Sequence, residues 1–207
     1  MLVEFIPQLT TVAVIAIFMA ISPGADFVMI TRNSIFYNRK TGLFSALGIS
    51  IAIWLHVAYS VAGLAVIISS SVLLFSIIKY CGAAYLIYMG YKTLRANTDL
   101  DIGHSQGSMS AKSAFRIGFI TNALNPKTTV FFLSIFTQVV DSETPILMQI
   151  LFGAIISLAH LAWFSCVAIF LTQPRLLSAF KQGKNVIEKV VGGVLVAFGL
   201  KIAVQTG

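Results

Sequence analysis

The chain has 207 residues, of which 57% are hydrophobic and 10% are charged, and its mean hydropathy is +0.91. Soluble domains carry about 25% charged residues, and this composition excludes a soluble fold because too much apolar surface would face water. It predicts an all-α integral membrane protein that forms one transmembrane domain over residues 1–207. The net charge of +7 is not assigned to nucleic acid, because the basic residues cluster at alternate ends of apolar segments.

Six apolar segments are each long enough to cross a bilayer, which takes about 20 helical residues. In chain order they cover residues 5–30, 41–69, 72–94, 113–140, 145–171 and 186–204. The first is interrupted at residues 22–26 and the fourth at residues 125–127, where Pro23 and Pro126 each remove a backbone donor. The polar stretch at about 95–112 is the longest predicted loop. It separates a first half over about 1–94 from a second half over about 113–207.

Lysine and arginine residues predict the orientation in the membrane. Cytoplasmic loops carry an excess of these residues, and here they flank the first, third and fifth connections. Eleven of the 14 basic residues lie there: Arg32, Arg39, Lys40, Lys92, Arg95, Lys112, Arg116, Arg175, Lys181, Lys184 and Lys189. We therefore predict that the odd-numbered loops are cytoplasmic and that both termini are periplasmic.

Short matches between the halves predict an internal repeat. The aligned pairs are Ala83 with Gly192, Gly90 with Gly199, Tyr59 with Phe164, and Pro23 with Pro126. Each half has three crossings, so the two halves have opposite orientations, as in the inverted repeats of many secondary transporters. The small residues of the third and sixth segments are predicted to let helices approach closely. They are Gly82, Ala83, Ala84, Gly90, Gly192, Gly193 and Gly199.

The two interruptions are the strongest indication of a binding site. In lipid, backbone groups freed at a broken helix need protein or a water-filled cavity as a partner, and matched breaks indicate a transporter site. Helix N-termini attract anions and helix carbonyl ends attract cations, and an amino acid zwitterion carries both charges. A simple proline kink is the alternative for either break taken alone.

Ionisable and amide residues adjoin both interruptions. The candidate substrate- or ion-binding residues are Pro23, Gly24, Asp26, Asn122, Asn125, Pro126 and Lys127. Asp26 is expected to hold a substrate ammonium or a proton, and Lys127 to neutralise Asp26 or hold a carboxylate. Charges inside a membrane are costly, so we expect both near one cavity. A structural ion pair or snorkelling to the interface is the alternative, and the two asparagines equally suit helix capping.

Histidines and cysteines leave further alternatives. His56 and His160, one in each half, are candidate proton relays, although a neutral hydrogen-bonding role is more common between membrane helices. Cys81 and Cys166 leave open a thiol-disulfide electron carrier, although neither adjoins a break or a basic residue. The sequence also leaves open a structural membrane subunit that does not transport anything. The sequence predicts no catalytic residue, metal site, cofactor or phosphate-binding loop.

Several motifs resemble the LysE/RhtB superfamily of amino acid exporters. The run Ser22-Pro23-Gly24-Ala25-Asp26-Phe27 is similar to the first-helix signature, in which a second proline usually replaces Ala25. The run Gly82-Ala83-Ala84-Tyr85-Leu86 resembles the third-helix pattern, and Asn125-Pro126-Lys127 resembles the fourth-helix motif.

The resemblance implies a secondary exporter of amino acids or close analogues in the bacterial inner membrane, nearest to the homoserine and threonine branch. The implied partners are a small zwitterionic substrate, protons and lipid, and a homo-oligomer is left open. We expect alternating access by rocking of the two halves around a central site, with transport driven by the proton gradient.

Overall fold

The computed structural model describes residues 3–22, 24–70, 72–95, 108–140 and 143–204. Within these ranges the chain forms eight α-helices and no strand, which confirms the all-α fold class. The helices are α1 (Ile6–Ile21), α2 (Ala25–Phe36), α3 (Arg39–Ser70), α4 (Val72–Leu94), α5 (Ala111–Ala123), α6 (Pro126–Val139), α7 (Ile146–Phe170) and α8 (Pro174–Val204). A single 3₁₀ turn, Val3–Phe5, precedes α1.

Each predicted interruption overlaps a break between two helices and extends into the first turn of the second helix. The chain bends by 56° from α1 to α2, and Pro23 itself lies outside the described residues. At the second interruption α5 ends at Ala123 and α6 begins at Pro126. Proline suits the first position of a helix, because its missing N–H would have no intrahelical partner there. Each predicted broken segment is therefore a pair of shorter helices.

A membrane crossing requires a helix that is long enough and apolar enough to span the bilayer. Among the described residues, Arg39–Gly63 and Ile146–Phe170 each meet the requirement, and the bent pair α1–α2 adds a third crossing if it is one span. The sequence predicts the last apolar segment from residue 186, whereas α8 begins at Pro174. The helix extends further because the lysines and arginines that end the apolar run are good helix formers.

Glycines bring α4 and α8 into backbone contact. A Cβ added to Gly90 would lie 2.7 Å from the carbonyl oxygen of Gly192, and one added to Gly192 would lie 2.7 Å from that of Gly90. One added to Gly199 would lie 2.9 Å from the carbonyl oxygen of Ala83. The predicted close approach is confirmed at these positions. It is wrong at Gly193, where an added Cβ would meet nothing within 4 Å.

α3 runs through the middle of the protein and contacts α5, α7 and α2. Where α3 crosses α7, the Ser50 and Ser157 hydroxyls lie 2.8 Å apart, and the Ser157 hydroxyl also donates to the Ser50 carbonyl at 2.9 Å. Apolar side chains of α1, α3, α6 and α7 form the main core beside this crossing. Its members include Val12, Ile15, Ile53, Phe132, Ile135, Phe152 and Ile156. This core holds the α1–α2 and α5–α6 breaks against each other.

Candidate functional site

A small cavity of about 10 Å³, the space of about one water molecule, lies where the two interruptions meet. It is lined by Met19, Ser22, Gly24, Asp26, Phe27, Asn125, Lys127, Thr128, His160 and Phe164. These residues come from α1, α2, α6 and α7 and from the two breaks. The fold therefore gathers predicted residues of both halves around one space.

Asp26 lies in the first turn of α2 and is 7% exposed. Its Oδ2 accepts hydrogen bonds from the side-chain amides of Asn122, at 2.9 Å, and Asn125, at 3.0 Å. Its Oδ1 is also buried and has no hydrogen-bond partner in the described part of the chain. The N-terminal end of a helix favours a negative charge, so α2 also stabilises the carboxylate. One carboxylate oxygen is thus held and the other remains available.

The side chains of Asn122 and Asn125 make different hydrogen bonds. Asn122 uses both amide hydrogens, one for Asp26 and one for the Thr128 hydroxyl at 3.3 Å. Asn125 is the N-cap of α6, because its side-chain oxygen accepts from the Lys127 backbone N–H at 3.0 Å, while its amide nitrogen donates to Asp26. Substrate binding and helix capping were the alternatives for these asparagines in the sequence, and Asn125 is a cap whose amide nitrogen also contacts Asp26.

Lys127 reaches from the second break to the first. Its ammonium donates to the backbone carbonyl of Ser22 at 2.8 Å, at the carbonyl end of α1, where a positive charge is favoured. The side chain passes Gly24, where an added Cβ would lie 3.4 Å from the Lys127 Nζ. Pro126 starts α6 just before this lysine and is exposed. Lys127 and Asp26 therefore line the same cavity.

The two histidines occupy different environments. His160 lines the cavity, and its Nδ1 donates to the Ile156 carbonyl at 2.8 Å within α7. His56 is almost fully buried behind Asn122, and its Nε2 donates to the Asn122 carbonyl oxygen at 3.1 Å. Its ring also stacks on Phe132 with centroids 5.3 Å apart. Of the two candidate relays, His160 is the one that lines the cavity.

Some residues that line the cavity were not predicted as site residues from the sequence. The carbonyl of Ser22 and the hydroxyl of Thr128 take part in the hydrogen bonds around the site, and both residues directly neighbour predicted ones in the chain. Met19, Phe27 and Phe164 form an apolar wall. No signal in the sequence distinguishes them, since apolar residues fill every helix of this chain.

The charges of the cavity match those of a zwitterion. The lining residues include one carboxylate, one ammonium, the carbonyl end of α1 and the N-terminal end of α6. The formal charges of Asp26 and Lys127 cancel, which lowers the cost of keeping them among apolar helices. A ligand that carries one positive and one negative group leaves the net charge of the site unchanged.

Comparison with known proteins adds independent evidence. The model of the family described as LysE type translocator matches residues 17–206. The uncharacterized membrane protein YrhP of Bacillus subtilis is 34% identical, over 90% of this chain and 94% of its own. A threonine efflux protein of Salmonella typhi is 29% identical over 94% of this chain and 97% of its own. A leucine efflux protein of Salmonella choleraesuis is 30% identical over 91% of each chain. No solved structure matches the chain.

Proposed function

This chain belongs to the LysE family of translocators and is a multi-pass membrane transporter rather than an enzyme, and we propose that it exports amino acids by secondary active transport. The proposed substrates are amino acids or close analogues of the homoserine and threonine kind, and the proposed location is the bacterial inner membrane. One observation carries the proposal: an acidic residue of one helix break and a basic residue of the other line a single cavity.

The substrate ammonium is proposed to bind between Asp26 and the Ser22 carbonyl. The buried Oδ1 of Asp26 has no partner in the described residues, and the Ser22 carbonyl is already the acceptor for one ammonium, that of Lys127. Lys127 then turns to the substrate carboxylate, near the N-terminal end of α6. The substrate thus replaces the contact between the breaks without leaving a buried charge unpaired.

The proposed architecture is six spans in two inverted repeats, with both termini periplasmic. In the predicted repeat, Ala83 corresponds to Gly192 and Gly90 corresponds to Gly199. Exchanging the two halves therefore turns the Gly90–Gly192 contact into a contact between Gly199 and Ala83, and both contacts occur between α4 and α8. Contacts of this kind support a two-fold relation between the halves.

Alternating access is proposed to depend on the bonds that join the breaks. A proton that neutralises Asp26 weakens its attraction for the amides of Asn122 and Asn125, since hydrogen bonds to a charged group are the stronger ones. The breaks can then separate and open the cavity to the other side. His160, as a cavity-lining residue, is the proposed relay for this proton. Proton coupling is wrong if transport in proteoliposomes ignores an imposed pH gradient.

Counterflow in proteoliposomes tests the proposed function. Labelled threonine, homoserine, leucine and lysine are offered to vesicles that contain the unlabelled amino acid, with wild-type protein and with Asp26→Asn. We expect at least one neutral amino acid to accumulate and the variant to lose at least about 100-fold in rate, because two charge-assisted hydrogen bonds are weakened. Glu4→Gln is the matched control, because Glu4 is exposed before α1. Equal rates in wild type and Asp26→Asn would refute the site.

A further inference from the structure

A chain of hydrogen bonds leads from α3 to the carboxylate in the cavity. The Tyr59 hydroxyl lies 2.6 Å from Nδ1 of His56, and Nε2 of His56 lies 3.1 Å from the Asn122 carbonyl oxygen. The side-chain amide of Asn122 in turn donates to Asp26 at 2.9 Å. His56 is 1% exposed, and Phe132 covers one face of its ring. A buried histidine thus contacts the residue that holds the carboxylate, without touching the carboxylate.

The contacts of His56 assign its two nitrogens. A backbone carbonyl oxygen only accepts hydrogen bonds, so Nε2 must carry the hydrogen that it donates to Asn122. In the neutral ring Nδ1 is then an acceptor, and the Tyr59 hydroxyl donates to it. This tautomer gives both ring nitrogens a partner of the correct kind, which a buried polar group requires. The ring is therefore fixed in position and in orientation.

Asn122 depends on support from outside its own helix. It lies one residue before the end of α5, and its carbonyl also accepts from the Asn125 backbone N–H at 2.9 Å, in the turn between the helices. Carbonyls at a helix C-terminus have no intrahelical donor, so this end of α5 relies on such partners. His56 supplies a donor from α3, a helix of the other half. A shift of this backbone moves the Asn122 amide away from Asp26.

We infer that His56 is a positioning residue, which fixes the backbone of Asn122 so that the Asn122 amide holds Asp26 in the substrate site. This inference rests on the proposed function of that site. It assigns the two histidines different roles: His160 lines the cavity, whereas His56 acts through Asn122. A peptide carbonyl does not accept a transferred proton at physiological pH, so the contact from Nε2 transmits position and not protons.

The test compares replacements of His56 that keep or lose its donor. In His56→Gln the side-chain amide nitrogen can reach the place of Nε2 and donate to the carbonyl, but it cannot titrate. His56→Leu fills similar space without a donor. We expect His56→Leu to raise the half-saturating concentration about tenfold in counterflow of labelled threonine and of labelled leucine, with a smaller change in maximal rate. We expect His56→Gln to stay within about twofold of wild type.

A double-mutant cycle separates positioning from a general effect on folding. In an Asn122→Ala background the amide to be positioned is gone, so His56→Leu should cause little further loss. Multiplicative losses from the two substitutions would overturn the inference. Loss of transport in His56→Gln equal to that in His56→Leu would also overturn it and would favour a proton relay.

Hydrogen–deuterium exchange gives a readout that needs no substrate. In detergent-solubilised protein, peptides that cover residues 120–128 should exchange faster in His56→Leu than in wild type or His56→Gln. Unchanged exchange in His56→Leu would refute positioning even if no tested amino acid is transported. Conversely, faster exchange together with full transport by Asp26→Asn would leave His56 as a support of the α5 end and refute the proposed function instead.

Discussion

The two helix breaks differ in what they offer each other. The second break has its own side-chain cap, because Asn125 caps α6, and Asn122, Asn125 and Lys127 each donate a hydrogen bond to the first break. The first break has no side-chain cap at Gly24 and presents acceptors, the Asp26 carboxylate and the carbonyl end of α1. One break donates and the other accepts.

This difference explains why breaks in opposite halves form one site. Separated in an apolar environment, each break would keep polar groups without partners, which is costly. Together they satisfy each other, although Oδ1 of Asp26 and Oδ1 of Asn122 still lack partners among the described residues. A zwitterion carries a donor group and an acceptor group, so it can occupy both sides of the same junction.

Among substitutions on the donor side, the largest effect is expected at Lys127. Lys127→Met removes the ammonium that reaches Ser22 and leaves the Asp26 charge without compensation. We expect counterflow to fall by on the order of 10- to 100-fold, because a charge-assisted hydrogen bond is lost at both the resting and the occupied site. Lys112→Met, on an exposed position of α5, is the matched control. A Lys127→Met protein with wild-type rates would show that the lysine is only structural.

A second substitution separates the two duties of Asn125. Serine is a good N-cap but is too short to reach Asp26 as the Asn125 amide does, so Asn125→Ser keeps the α6 cap and removes one donor. We expect transport to fall about tenfold, while the melting temperature in detergent changes little. Wild-type transport by Asn125→Ser would mean that capping alone explains this residue.

Substitutions of two adjacent glycines of α8, Gly192 and Gly193, test the packing of α8 against α4. Gly192→Ala places a Cβ 2.7 Å from the Gly90 carbonyl and should cost about 1–3 kcal/mol of stability. Gly193→Ala meets nothing within 4 Å and should leave the stability unchanged or raise it by up to about 1 kcal/mol. Melting temperatures in one detergent measure both. Equal losses in the two variants would contradict the α4–α8 contact.

The smallest effect is expected from the thiols. Cys81 and Cys166 are free and exposed, and neither lines the cavity. We expect the double variant Cys81→Ser, Cys166→Ser to retain transport within about twofold, the size of an ordinary surface substitution. Abolished counterflow in a well-folded double variant would support the electron-carrier alternative.

Local features of this chain were readable from its sequence, whereas contacts between distant residues were not. Proline and the adjacent polar residues located both breaks, and the small residues of the third and sixth segments predicted a close approach of helices, although not the contact of Gly90 with Gly192. The hydrogen bond from Asn122 to Asp26 joins residues far apart in the chain, and no local pattern encodes it. Helix α8 begins well before the apolar segment at residue 186, because hydropathy marks the apolar run, while helix propensity sets where the helix begins.

The central claim is that the two breaks together bind both charged groups of a zwitterion. Competition by analogues that carry only one of the two charges tests this claim most directly. Counterflow of the labelled amino acid is measured with its amide, which keeps the ammonium, and with the matching 2-hydroxy acid, which keeps the carboxylate. We predict that the unlabelled amino acid competes at least about tenfold better than either analogue, and that Lys127→Met removes its advantage over the amide. An amide that competes as well as the amino acid in wild-type protein would contradict it.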